Sequence, residues 1–128
     1  MTSGESDEAV ARPPDRRPGT LDVAAFVIAI AISAIVLFVP STGGLPIFPY
    51  ADKLVHGSVF GVLALTGSRA NARAALLAPL LVAYAIGSEV IQATLLPERS
   101  GDITDVVADC CGIALGLLAA RLISRWRR

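Results

Sequence analysis

Cysteine is nearly absent from this chain: there are two, Cys110 and Cys111, side by side. Adjacent thiols cannot build a disulfide framework and lack the spacing of a metal knuckle, so both read as small apolar filler. Charge of one sign is missing too. Eleven basic residues cancel eleven acidic ones, so no single-signed face advertises nucleic acid as a partner. Charged residues make up only 17% of the chain and hydrophobic ones 54%, against about 25% and 45–50% in soluble domains. With a mean hydropathy of +0.64, this balance argues against an ordinary soluble domain. No glycine-rich phosphate loop or recognised metal motif occurs, and neither Ser58 nor Ser100 belongs to an identifiable triad.

What the chain does have is long apolar blocks. Residues 1–19 are poor in apolar side chains and rich in Ser, Gly, Pro and charge, so they bury too little surface to offset ordering entropy and read as a disordered tail. Residues 23–39 contain no charge and, at ~1.5 Å per residue, nearly span a ~30 Å hydrocarbon layer. A signal peptide is the weaker rival, because the preceding tail is long and partly acidic and more apolar segments follow. Those segments are apolar on all sides and lack the alternation of a transmembrane barrel. The expected architecture is therefore all-α: an integral membrane four-helix bundle over residues 20–128, with helices at about 22–39, 52–68, 74–96 and 102–124. Pro79 should kink the third helix near its start.

Arginine distribution sets the expected orientation. Arg12, Arg16, Arg17, Arg69, Arg73, Arg121, Arg125, Arg127 and Arg128 fall in the tail, the middle loop and the C-terminus, whereas the other two connections hold only Lys53 and Arg99. The positive-inside rule then puts both termini in the cytoplasm. Trp126 would anchor the inner interface, and Phe48 and Tyr50 the outer one.

Ionisable residues within or beside apolar spans cost ~2.5–3.5 kcal/mol each near the bilayer centre, so they call for an explanation. The second helix opens with Asp52, Lys53 and His56; the third carries Glu89 and Gln92 on one face; the fourth opens with Asp102, Asp105 and Asp109 on one face. In the expected topology all of these converge at the outer leaflet, with Glu89 and Asp109 ~10 Å and His56 ~6 Å below the interface. The simplest structural roles are helix capping for Asp102 (with Asp105 as its capping-box partner) and for Asp52, ion pairing for Lys53 and Arg99, and interhelical glue for Glu89 and Gln92. Asp109 is too deep to cap, and His56 is the chain's lone histidine, suited to proton transfer or to ligation. Ala108, Gly112, Gly116 and Ala120 form a small-residue packing stripe. Asp52, Glu89, Glu98, Asp102, Asp105 and Asp109 outnumber Lys53 and Arg99 at this mouth even with His56 counted as protonated, so either some carboxyls hold protons or a cation binds.

Asp52-Lys53-x-x-His56-x-x-x-Phe60, Glu89-x-x-Gln92, Arg99-Ser-x-Asp102-x-x-Asp105 and Gly112-x-x-x-Gly116, in that order on successive apolar helices, closely resemble the VanZ-like family of small bacterial membrane proteins. The resemblance covers about residues 50–122. It implies a multi-pass protein of the bacterial cytoplasmic membrane with an accessory part in low-level resistance to the glycopeptide teicoplanin. The family usually has Asn where this chain has Asp109.

These readings leave two leading functions. One is an outer-leaflet site, comprising Asp52, Lys53, His56, Glu89, Gln92, Arg99, Asp102 and Asp105, that binds or modifies a lipid or cell-wall precursor. The other is a membrane-embedded enzyme for a lipid-linked or phosphorylated substrate, using acid–base or metal-assisted chemistry at His56, Glu89, Asp105 or Asp109. No cofactor is required by the sequence, although one histidine among several acids suits a divalent cation. An ion conduit is disfavoured, because the cytoplasmic halves of the helices carry essentially no ionisable group.

Overall fold

The computed structural model describes residues 17–39, 50–96 and 101–126. Regular structure among these residues is entirely helical: α1 (Thr20–Phe38), α2 (Ala51–Arg69), α3 (Ala74–Leu95) and α4 (Ile103–Trp126). The expected disordered tail falls, for residues 1–16, outside the described residues, as do Phe48, Glu98 and Arg99. α1, α3 and α4 are long and apolar enough to cross a membrane. α2 is not, because Asp52, Lys53, His56 and several glycines dilute its apolar residues. Its 19 residues still extend ~28 Å at ~1.5 Å each. α3 runs unbroken through Pro79.

Position offsets the weak hydropathy of α2. It packs on α1, α3 and α4, most extensively on α4, and contributes Phe60, Leu63 and Ala64 to a core completed by Ala29, Leu37, Leu77, Leu81, Ala85 and Ile113. Tyr84 of α3 lies against Phe60 and Phe38, with ring centroids 5.4 and 6.5 Å away, and its hydroxyl meets the buried Ser33 Oγ of α1 at 3.2 Å. The outward faces remain apolar: Leu54, Leu80, Val90, Leu115 and Leu118 are each more than half exposed. Such a surface suits lipid rather than water.

α2 and α4 run parallel, and glycine brings their backbones together. A Cβ on Gly112 would overlap the carbonyl oxygen of Gly57, and one on Gly116 that of Gly61. The small-residue stripe of α4 therefore seats on a matching Gly57-x-x-x-Gly61 stripe of α2, the close approach that small-xxx-small faces permit. This register sets the two helix N-termini side by side. The last turns of α1 and α3 reach the same end, where Gln92 Nε2 donates to the Leu37 carbonyl at 3.2 Å. At the opposite end Arg69 Nε donates to Asp22 Oδ1 at 2.9 Å, and α4 finishes with Arg125 and the exposed Trp126.

Candidate functional site

One turn before the first glycine contact, Lys53 of α2 faces the start of α4. Its ammonium donates to Asp102 Oδ2 and to Asp105 Oδ1, both at 2.9 Å, and lies 3.5 Å from Asp52 Oδ2. Lys53 thus has the expected ion-pairing role toward three carboxylates. Asp52 does not cap α2. The residue before that helix is Tyr50, in a left-handed conformation with φ 66° and no side-chain cap bond, while Asp52 sits in the first turn, largely exposed, where the helix dipole favours its charge.

Asp102 accepts the Thr104 amide at 2.9 Å, the bond that an N-cap carboxylate makes to the first turn of a helix. Its supposed capping-box partner is different. Asp105 is taken by Lys53, and the Asp102 amide donates instead to Glu89 Oε2 of α3 at 2.8 Å. Gly101 makes this cap from another helix feasible, because a Cβ there would collide with the Glu89 carbonyl oxygen and the Ala93 side chain. The Thr104 amide first, and the Lys53 ammonium second, push the Asp102 carboxyl down to about 2.

Deeper in, the site is buried. His56 and Glu89 are each 6% exposed and Asp109 is 0% exposed. His56 Nδ1 lies 3.3 Å from Asp109 Oδ1 and 3.7 Å from Glu89 Oε1, yet His56 Nδ1, Glu89 Oε1 and both Asp109 carboxylate oxygens are buried without a hydrogen-bond partner. Buried polar atoms are nearly always paired, so four orphans in one spot form an unusual feature. Ligand atoms of His56, Glu89 and Asp105 all fall within 4.8 Å of one another, a spread that one cation can bridge.

The structure therefore brings Lys53, His56, Glu89, Asp102, Asp105 and Asp109 together from three helices. Gln92 faces α1 rather than this cluster, Asp52 stands at its rim, and Arg99 lies outside the described residues. Sequence reasoning missed Gly57, Gly61 and Gly101, the residues that set the spacing. The repeated Gly-x-x-x-Gly pattern on α2 and α4 was the signal available for the first two.

Beside the cluster, an apolar groove of about 640 Å³ opens between α2 and α4, lined among others by Tyr50, Lys53, Leu65, Cys111 and Ala119. From Tyr50 to Leu65 it follows ~22 Å of helix at ~1.5 Å per residue.

Compared with known proteins, the chain matches the family described as VanZ/LLP1 over residues 17–124, which takes in α1 as well as the polar helices. No curated protein and no solved structure gives a match.

Proposed function

The chain belongs to the VanZ/LLP1 family, and from that premise we propose that it is a four-span protein of the bacterial cytoplasmic membrane whose polar cluster binds or modifies an envelope component from the outer leaflet. Arginine asymmetry supports cytoplasmic termini and a cytoplasmic α2–α3 connection, which puts the starts of α2 and α4 outside. The observation that carries the reading is the convergence of His56, Glu89, Asp105 and Asp109 at that one end of the bundle, all buried. Ionisable groups kept within an apolar bundle, against their insertion cost, mark functional sites. The groove beside Lys53 supports a lipid-linked component or cell-wall precursor, with its chain along α2 and α4 and its head at the cluster. The family resemblance extends this to lowered teicoplanin susceptibility.

The experiment is a susceptibility assay on cells making wild-type protein or the variants His56→Ala, Glu89→Gln and Asp105→Asn at matched membrane abundance. Susceptibility should shift toward that of cells lacking the protein; no shift in any of the three overturns the reading. Mass spectrometry of native lipids and wall precursors retained on the purified protein identifies the component.

A second reading, acid–base catalysis on such a component, draws on His56. Its Nδ1 stands between two carboxylates with no fixed hydrogen bond, an arrangement in which an imidazole can pass a proton to or from a substrate. Turnover of a retained lipid by wild-type protein, lost in His56→Ala, would distinguish catalysis from binding.

A further inference from the structure

We propose that His56, Glu89, Asp109 and Asp105 form a binding site for one divalent transition-metal cation of the Zn²⁺ or Mn²⁺ class. The inference rests on the geometry of the cluster and stands whether or not an envelope component binds there.

The first argument is the set of orphaned atoms. His56 Nδ1, Glu89 Oε1 and both Asp109 oxygens are buried and without a hydrogen-bond partner, although His56 Nδ1 lies 3.3 Å from Asp109 Oδ1 and 3.7 Å from Glu89 Oε1. The 3.7 Å contact is beyond hydrogen-bond reach, and the 3.3 Å contact is longer than a usual N–H···O bond. Donors about 2.1 Å from a tetrahedral cation stand about 3.4 Å from each other, close to the two distances measured from His56 Nδ1. An ion held among the ligand atoms of His56, Glu89 and Asp105, which fall within 4.8 Å of one another, would also lie beside Asp109, whose Oδ1 is 3.3 Å from His56 Nδ1.

Charge balance gives the second argument. Asp52 and Asp102 are solvated at the rim, with side chains 63% and 42% exposed. Deeper, the Asp105 carboxylate is matched by the Lys53 ammonium at 2.9 Å. Glu89 and Asp109 then remain as two buried carboxylates with His56 the one basic group against them among the described residues; a protonated imidazole would match only one of the two, whereas a dication neutralises both and leaves the imidazole neutral as a ligand. Asp105 gives Oδ1 to Lys53 and retains its second oxygen as a further donor, consistent with its ligand-atom spacing to His56 and Glu89.

The donor types select the class of ion. One imidazole nitrogen with two or three carboxylates suits Zn²⁺ or Mn²⁺, whereas Ca²⁺ and Mg²⁺ favour all-oxygen shells. No thiolate is among the donors; Cys111 lines the outer groove instead.

The test uses full-length, tag-free protein in detergent, cleared of metal and then titrated with MnCl₂ or ZnCl₂. Wild type should take up about one ion per chain, and the bound Mn²⁺ should show nitrogen coupling from an imidazole in pulsed electron paramagnetic resonance. His56→Ala should abolish that coupling, and Asp109→Asn should weaken affinity at least about tenfold, while Asp22→Asn, at the opposite end of the bundle, binds as wild type. Cys110→Ser with Cys111→Ser should also leave binding unchanged. Well-folded wild-type protein that retains no stoichiometric metal overturns the proposal. So does Mn²⁺ bound without nitrogen coupling, or bound equally by the His56 and Asp109 variants. The wild-type measurements decide the matter even where a variant fails to fold.

Discussion

Lys53 and Asp105 are 52 residues apart in sequence and 2.9 Å apart in space, and this contact fastens the first turn of α2 to the first turn of α4. Asp105 is 6% exposed, so its carboxylate depends on the ammonium for its charge to be tolerated there.

Removing the cation should therefore be worse than removing both charges. Lys53→Met is expected to lower the unfolding temperature in detergent, and adding Asp105→Asn to the same chain to restore part of the loss. A double-mutant cycle measures the coupling; strictly additive effects would show that the two side chains do not act as a pair.

Gly112→Ala should destabilise the bundle by about 1–3 kcal/mol, the usual range for overpacking, because its Cβ would meet the Gly57 carbonyl oxygen. Gly87→Ala is the control. Nothing stands within 4 Å of a Cβ at that position of α3, so the change should be neutral or stabilise by up to about 1 kcal/mol through helix propensity. Equal effects at the two sites, read from thermal unfolding, would contradict the close α2–α4 approach.

Glu89→Ala takes away the acceptor of the Asp102 amide and should destabilise by about 1–2 kcal/mol, as loss of a helix cap does. Glu89→Gln retains an amide oxygen able to accept that bond and should retain most of the stability. Comparing the two variants by chemical unfolding separates the capping function of Glu89 from its charge.

Acid should loosen the start of α4 within a defined window. The Asp102 carboxyl titrates near 2 in the folded chain against an ordinary 3.8. The folded state therefore holds the ionised form more strongly than the unfolded state does. Its contribution is full above about pH 3.8 and is lost as the pH falls toward 2. Asp102→Asn should flatten the dependence of unfolding temperature on pH across that window; an unchanged slope would remove Asp102 from the acid response.

Much of this was legible before any coordinates. The apolar blocks announced helices at α1, α3 and α4 because their residues are hydrophobic on every side. The i, i+3, i+7 spacing of Asp102, Asp105 and Asp109 placed three acids on one face because a helix repeats every ~3.6 residues. The cap of α4 was legible only in half. Asp102 could be read from its place before an apolar run, but the residue answering its amide lies on α3, and no local pattern points from Asp102 to Glu89. Asp52 misled for a related reason: an acid near a helix start resembles a cap until the backbone shows which residue precedes the first turn.

Local periodicity and hydropathy by themselves determined that this chain is helical and apolar and which polar residues share a helix face, since both properties belong to runs of neighbouring residues. Tertiary structure alone decided that Lys53 takes Asp102 and Asp105, that Gln92 turns to α1, and that His56, Glu89 and Asp109 meet with unsatisfied atoms. Those outcomes depend on the register in which glycine-faced helices slide together, and that register is fixed by contacts between residues about fifty positions apart.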